Sequence, residues 1–359
     1  MIKILFFVLF FVKLTFSECV PARQEISLPS KMENYPGSYF RIHPTGNYIL
    51  ASGVPINGSS VVMIDLTKKN KNNIIEPKLI LTSMNNEAYP VEGSWKLFAS
   101  PNHDGWSEMQ YYGFNQVLDK QKKATSLFSD REHNQFYHSS AELPGSTTTN
   151  IKFRTLLWQK GLCKDYELVP ENGKLVNKST SKQYRLCQNL YSENGDDFLG
   201  SPILSKDGTE VAARNDDGHA VIYKIADNGD CSIEDDLGYS TSKVNFSYPK
   251  KDSKGQIVFA AYDPTGGNSI HIYDRDKKVT KKLSQKGDNS RGTPGYPGMT
   301  LDGRVVFIAN STPRKIVIVD PSQLNDDGSV KSGSADPKTC IQIAAQSGVN
   351  RTEQGGIGI

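Results

Sequence analysis

The 359-residue sequence contains no Gly-x-Ser-x-Gly, no Gly-x-x-x-x-Gly-Lys, no Gly-x-Gly-x-x-Gly and no His-Glu-x-x-His. It therefore offers no ready-made nucleophile elbow, phosphate-cradling loop, dinucleotide fingerprint or zinc helix. None of its five cysteines sits in a Cys-x-x-Cys pair, which removes a local redox couple or zinc knuckle. Charge of one sign is also missing. The 42 basic and 39 acidic residues nearly cancel, and nothing in that balance asks for nucleic acid or an anionic membrane. Sustained apolar stripes at helical spacing are absent, and long apolar runs are confined to the first residues.

Those first residues read "MIKILFFVLFFVKLTFSEC". Lys3 supplies a positive start and Ile4 to Val12 an apolar core too short to span a bilayer. Thr15-Phe16-Ser17 then forms a small-x-small cleavage site. Residues 1–17 are expected to be an export signal, leaving a periplasmic or secreted protein. Glu18 before Cys19 argues against a lipid anchor. Export permits disulfides, and five cysteines leave at least one unpaired in a monomer. Cys163 and Cys187 flank an insertion and are expected to pair locally. Cys19 and Cys340 are candidates for a second bridge, with Cys231 left over.

What the chain has in quantity is one turn, used again and again. "GSPILSKDGTEVAARNDDGHAVIYKI" and "GYPGMTLDGRVVFIANSTPRKIVIVD" share a Pro, an Asp-Gly turn, an apolar run, a polar loop and a second apolar run. Gly46, Gly145, Gly208, Gly255 and Gly303 open such runs, and Ser94-Trp95 holds the remaining place, at intervals of about 50 residues. That period, with short β-branched runs bounded by turn formers, is the pattern of propeller blades. The runs begin at Tyr48, Leu97, Phe153, Val211, Ile257 and Val305. Second runs begin at Val61, Met109, Tyr166, Ala220, Ile270 and Ile316. Weaker third runs begin at Leu79, Ala124, Tyr184, Cys231, Val279 and Cys340. With one entrance strand each, the six units predict an all-β, six-bladed propeller of four-stranded antiparallel blades. It would form a single domain over 18–347, followed by a flexible tail over 348–359. "PENGKLVNKSTSKQ" reads as an extra hairpin on the rim of the third unit.

The turns "SKDG", "TLDG" and "HPTG", each leading into an apolar strand and a "VIYKI"-type strand, resemble the WD40-like repeats of TolB-type propellers. The likeness is good over Ser201 to Asp320 and looser over Tyr35 to Asp130. It implies an exported propeller and no particular catalytic residue, because such repeats host many functions.

Candidate functional residues fall in two loop sets that a propeller brings to one face. These are the connections entering each unit and the loops between its second and third strands. They carry His103, Asp104 and Trp106; Arg131, His133 and His138; Asp216 and His219; Asp263; and Asp288 and Arg291. The unit entrances, such as "NYPGSYF" and "VNFSYP", carry aromatics that would either wedge blades together or line a central funnel. Asn-Asp-Asp-Gly at 215–218 and 325–328 lacks the full spacing of a calcium loop and reads as turn chemistry. No cofactor or metal is expected. The reading is a monomeric binding or scaffold protein that recognises a cell-envelope protein segment or glycan on one propeller face. The alternative is a propeller hydrolase or lyase acting on a peptide or oligosaccharide, since such enzymes need only bases and carboxylates gathered by the fold.

Overall fold

The computed structural model describes residues 21–28, 32, 40–54, 60–66, 78–82, 89–90, 97–101, 109–113, 126–130, 137–157, 162–180, 182, 184–190, 202–215, 218–241, 243–263, 267–285, 287–288, 297–311 and 314–334. Among them the strands fall into six antiparallel sheets, and the molecule is an all-β propeller of antiparallel, mostly four-stranded blades. The first sheet holds β2 (Phe40–Ile42), β3 (Tyr48–Val54), β4 (Ser60–Asp65) and β5 (Lys78–Thr82), with β1 (Arg23–Ser27) preceding it in the chain. The second holds β6 (Tyr89–Pro90), β7 (Leu97–Pro101), β8 (Met109–Gly113) and β9 (Ser126–Asp130). The third comprises β10 (Tyr137–Glu142), β11 (Ile151–Leu157), β12 (Leu162–Glu171), β13 (Lys174–Asn177) and β14 (Tyr184–Arg185). In the fourth stand β15 (Ile203–Leu204), β16 (Glu210–Arg214), β17 (His219–Ile225) and β18 (Cys231–Ser240). The fifth has β19 (Lys243–Phe246), β20 (Gln256–Asp263), β21 (Gly267–Asp274) and β22 (Val279–Lys282). The sixth contains β23 (Gly298–Met299), β24 (Val305–Ala309) and β25 (Lys315–Val319).

Two departures from a uniform repeat stand out. In the third sheet the long β12 pairs with both β13 and β14, which gives five strands. The "PENGKLVNKSTSKQ" hairpin is there, turned by Asn172 and Gly173 at positive φ of 49° and 76°. Asn-Gly is the pair that such a turn favours. In the sixth sheet the place beside β25 is filled by β1, with Arg23 opposite Val319 and Ser27 opposite Lys315. The run at Cys340–Ala344, expected there from the repeat, lies outside the described residues. A strand from the start of the chain thus completes the last sheet.

Burial explains why the middle strands read as unbroken apolar runs. Alternate residues of a strand point to opposite faces, and here each face packs on a neighbouring sheet. On β24, Val306 and Ile308 join Ile49, Val62 and Ile64 of the first sheet. Their neighbours Val305, Phe307 and Ala309 join Val258, Ala260 and Ile270 of the fifth. On β20 the other set, Ile257, Phe259 and Ala261, meets Ala212, Ile222 and Leu237 of the fourth. Fully burying side chains of this size stabilises by roughly 1.5–3 kcal/mol each. The core is therefore a series of layers between sheets rather than one central mass.

The turns between first and second strands fix the other regularity. Gly46, Gly145, Gly208, Gly255 and Gly303 all have φ between 69° and 87°, a region costly for residues with a Cβ. At Gly208 a Cβ would also come within 2.9 Å of Leu143 on the preceding sheet. Asp207 completes that turn by accepting from the Ser205 hydroxyl at 2.7 Å and from the Thr209 N–H at 3.2 Å.

Candidate functional site

In an up-and-down four-stranded blade, the turns from first to second and third to fourth strand emerge at one end. The loop from second to third strand and the link to the next blade emerge at the other. The Asp-Gly turn end is densely bonded between sheets. Arg154 on β11 holds Asp165 with Nε and Nη2 at 2.8 and 3.0 Å, and its Nη1 donates to the Gly208 carbonyl of the next sheet at 3.1 Å. Arg304 pairs with Asp302 at 2.8 Å and reaches the Thr45 carbonyl of the first sheet at 3.3 Å.

Arg275, following β21, makes the most extensive set of bonds. Its two terminal nitrogens grip Glu210 of the fourth sheet at 2.8 and 2.7 Å, and its Nε donates to Asp235 at 2.8 Å. The Lys254 carbonyl accepts a further bond at 2.9 Å. The Arg275 and Asp235 side chains are only 3% and 2% exposed, so neither charge is shared with solvent. Burial would raise the Asp235 pKa, but the bonds from Lys278 and Arg275 outweigh it and hold the carboxyl below its ordinary value. These groups fasten sheets together.

At the opposite end, the described loop between β16 and β17 is differently made. The Asn215 N–H donates to the His219 carbonyl at 2.9 Å, and the Asn215 carboxamide oxygen takes the His219 N–H at 2.9 Å. Gly218 closes the turn at φ 79°. The imidazole is thereby set at the head of β17, with Nδ1 3.7 Å from the Asp236 carboxylate on β18. Both side chains are open to solvent, at 39% and 49%. This is an exposed imidazole–carboxylate pair, in which the same Asp236 oxygen also accepts the Gly238 N–H at 2.8 Å.

Of the other residues singled out in the sequence, Asp288 is well described. One of its carboxylate oxygens receives Arg23 of β1 at 2.7 Å and the other the Gln285 N–H at 2.7 Å. It thus ties the link after β22 to the strand that completes the sixth sheet. His138 lies in β10 and Asp263 ends β20, and nothing further is described of their side chains. His103, Asp104, Trp106, Arg131, His133, Asp216 and Arg291 lie outside the described residues. At the unit entrances, Phe246, Tyr248 and Met299 are buried and serve packing.

The cysteine expectation requires correction. Cys187 is bonded to Cys231, while Cys163 is a buried free thiol. Cys163 points into the layer between the third and fourth sheets from β12, opposite Tyr184. Burial pushes its thiol pKa upward, which disfavours the reactive thiolate. Cys187, at positive φ of 55°, instead turns toward the fourth sheet, and its N–H donates to the Gly229 carbonyl at 2.8 Å. Asn189 grips the Cys231 backbone N–H and carbonyl, both at 2.8 Å. The bridge joins two sheets rather than stapling a hairpin within one. Cys19 and Cys340 lie outside the described residues.

Sequence reasoning missed two interior polar groups. Lys206, 4% exposed, donates to the Asn245 carboxamide at 2.9 Å and lies 5.3 Å from the Tyr248 ring centre. Ser269 and His271, two residues apart on β21, meet at 2.5 Å. A serine beside an imidazole suggests nucleophile chemistry. Here both are buried, at 1% and 7%, and the imidazole stacks on Phe259 at 5.4 Å, so the pair serves the interior. Only the alternation of β21 hinted that the two share a face. Among the described residues, no three His, Cys, Asp or Glu side chains gather as a metal site, and no helix is long and apolar enough to cross a membrane.

No protein-family model matches the chain, and no curated protein matches it. Solved structures do. A protein of unknown function from Bacteroides thetaiotaomicron superposes with a TM-score of 0.51 at 13% identity, over 82% of this chain and 74% of that one. The β-propeller domain of Myceliophteria thermophila Cps50 (Swd1) gives a TM-score of 0.49 at 12% identity, over 82% and 98%. An oligogalacturonate lyase in complex with manganese gives 0.47 at 9% identity, over 84% and 91%. At such identities the likeness is one of fold alone.

Proposed function

We propose that the chain is an exported, TolB-like propeller whose six sheets are six blades. Its function is to bind a cell-envelope protein segment or glycan at the end of the blades opposite the Asp-Gly turns. The blade count is supported by the innermost strands β2, β23, β19, β15, β10 and β6, which neighbour one another in that order. Residues 1–17 and the interblade disulfide support export to an oxidising compartment.

The observation that carries the binding reading is the uneven use of polar groups. At the Asp-Gly end Arg154 and Arg275 are committed to Asp165, Glu210, Asp235 and backbone carbonyls. The His219–Asp236 pair at the opposite end is half-exposed. Loops held on rigid strands are where binding residues concentrate. The sequence places Trp106 and Arg291, two side-chain types enriched in binding hot spots, in loops of the same set.

The reading is tested with arrays of immobilised glycans and envelope-protein peptides, followed by calorimetry on the retained probe. Trp106→Ala and Arg291→Ala are each expected to weaken binding by more than about 1 kcal/mol without unfolding the protein. Unchanged affinity in both variants removes this end from consideration. Conversion of a bound oligosaccharide or peptide to products would favour a hydrolase or lyase instead.

A further inference from the structure

Export would expose the chain to covalent modification, and the sequence contains five Asn-x-Ser/Thr triplets, at Asn57, Asn177, Asn245, Asn310 and Asn350. Such a triplet is an acceptor for N-linked glycan only where the carboxamide can be reached. Asn57 and Asn350 lie outside the described residues. Asn310 accepts from the Arg314 guanidinium at 3.2 Å in a partly buried setting.

The remaining two differ sharply. Asn245 is on β19, the innermost strand of its sheet, and is 5% exposed. Its carboxamide oxygen takes the buried Lys206 ammonium at 2.9 Å. A sugar on Asn245 would fill interior space and strip a buried cation of its partner, which the folded interior does not accommodate.

Asn177 ends β13, the outermost strand of the third sheet, and is half-exposed. Its carboxamide oxygen receives the N–H of Ser179 at 3.0 Å and that of Glu167 at 3.3 Å. Both bonds use the oxygen, and the opposite corner of the amide, Nδ2, donates to no described residue. The chain then leaves the sheet at the exposed Lys178, whose side chain reaches back to Glu171 at 2.7 Å. β12 beneath it is shared between β13 and β14, so Asn177 sits where the outer edge passes from one short strand to the other. Outer edges present unpaired backbone groups that invite pairing with another chain, and proteins cover them.

We infer that Asn177 is an N-glycan acceptor and that Asn245, with the same sequence signal, is not one in the folded protein. The co-substrate is an oligosaccharide linked through pyrophosphate to a lipid. Nδ2 forms a bond to the anomeric carbon, and the carbon–oxygen bond to the pyrophosphate breaks. The lipid pyrophosphate leaves with the electron pair, and one Nδ2 proton goes to a base of the transferase. The glycan would project from the rim and screen the edge formed by β13 and β14.

This inference rests on the export reading, and the experiment separates the two. The full chain is produced in a eukaryotic secretory cell, once with its own residues 1–17 and once with those residues replaced by a leader of proven export. Secreted, folded protein is treated with peptide N-glycosidase, and site occupancy is read by peptide mass spectrometry. The expected result is a glycan on Asn177 and an unmodified Asn245. Asn177→Gln and Ser179→Ala should each abolish the mass shift of that one glycan, and Ser179→Ala does so with the Asn177 side chain intact. An unmodified Asn177 in the secreted protein, or equal occupancy of Asn245, overturns the inference. Retention of the chain bearing its own leader, with Asn177 modified under the replacement leader, overturns the export reading alone.

Discussion

The two ends of the blades use the same kinds of residue for different purposes. At the Asp-Gly end, Arg154, Arg275 and Arg304 each cross to an adjacent sheet, and Arg275 is enclosed with Asp235. At the other end, His219 and Asp236 stand 3.7 Å apart in solvent. A buried charge pair is costly to break because the survivor is left unpaired, whereas an exposed pair contributes little to stability. The arginine pairs of the Asp-Gly end therefore hold neighbouring sheets together, whereas the exposed His219–Asp236 pair has no such task among the described residues.

The sharpest way to break this contrast is Arg275→Ala. It leaves Glu210 and Asp235 without their main partner and is expected to cost about 3–5 kcal/mol in denaturant unfolding. A loss below about 1 kcal/mol would place Arg275 with the exposed pairs. Cys231→Ser comes next. Opening a bridge with a sequence separation of 44 residues should cost about 2–4 kcal/mol. Peptide mapping without reduction should show Cys187 joined to Cys231 and Cys163 as a thiol.

A smaller effect belongs to pH. His43 lies in the "HPTG" turn of the first sheet, and burial pushes its pKa down from 6.5 to about 4. The unfolded chain takes up its proton first as pH falls, so this contribution to stability is whole above 6.5 and is lost between 6.5 and about 4. The loss should be about 1 kcal/mol once solvent screening is allowed for. Urea titrations across that window should show a weaker pH dependence in His43→Gln. The smallest effect is expected of His219→Ala, at less than about 0.5 kcal/mol in stability. A large destabilisation there would erase the distinction between the two ends.

How far the sequence could be read follows from where its signals are local. Val305 to Ala309 forms the same strand in sequence and structure because a strand buried on both faces has to be apolar throughout. Asn172-Gly173 announced its hairpin because the turn demands positive φ at both residues. Arg23, by contrast, carries no mark in the sequence that it will lie beside Val319. Cys187 is nearer in sequence to Cys163 than to Cys231, and proximity along the chain suggested the wrong partner. For the candidate site, the sequence could place His219 in a loop, but not Asp236 beside it, since a bulge between β17 and β18 sets their approach.

The sequence by itself determined the strand unit, its repetition and its turns. Strand alternation and positive-φ glycines act within a few residues, and each unit carries its own copy. Only the tertiary structure decided which strand completes the last sheet, which cysteines join, and which charges are enclosed. Those outcomes depend on the relative placement of neighbouring sheets. Asp288 illustrates the point: in the sequence it is an acidic loop residue like many others, and in the fold it binds Arg23 across a separation of 265 residues.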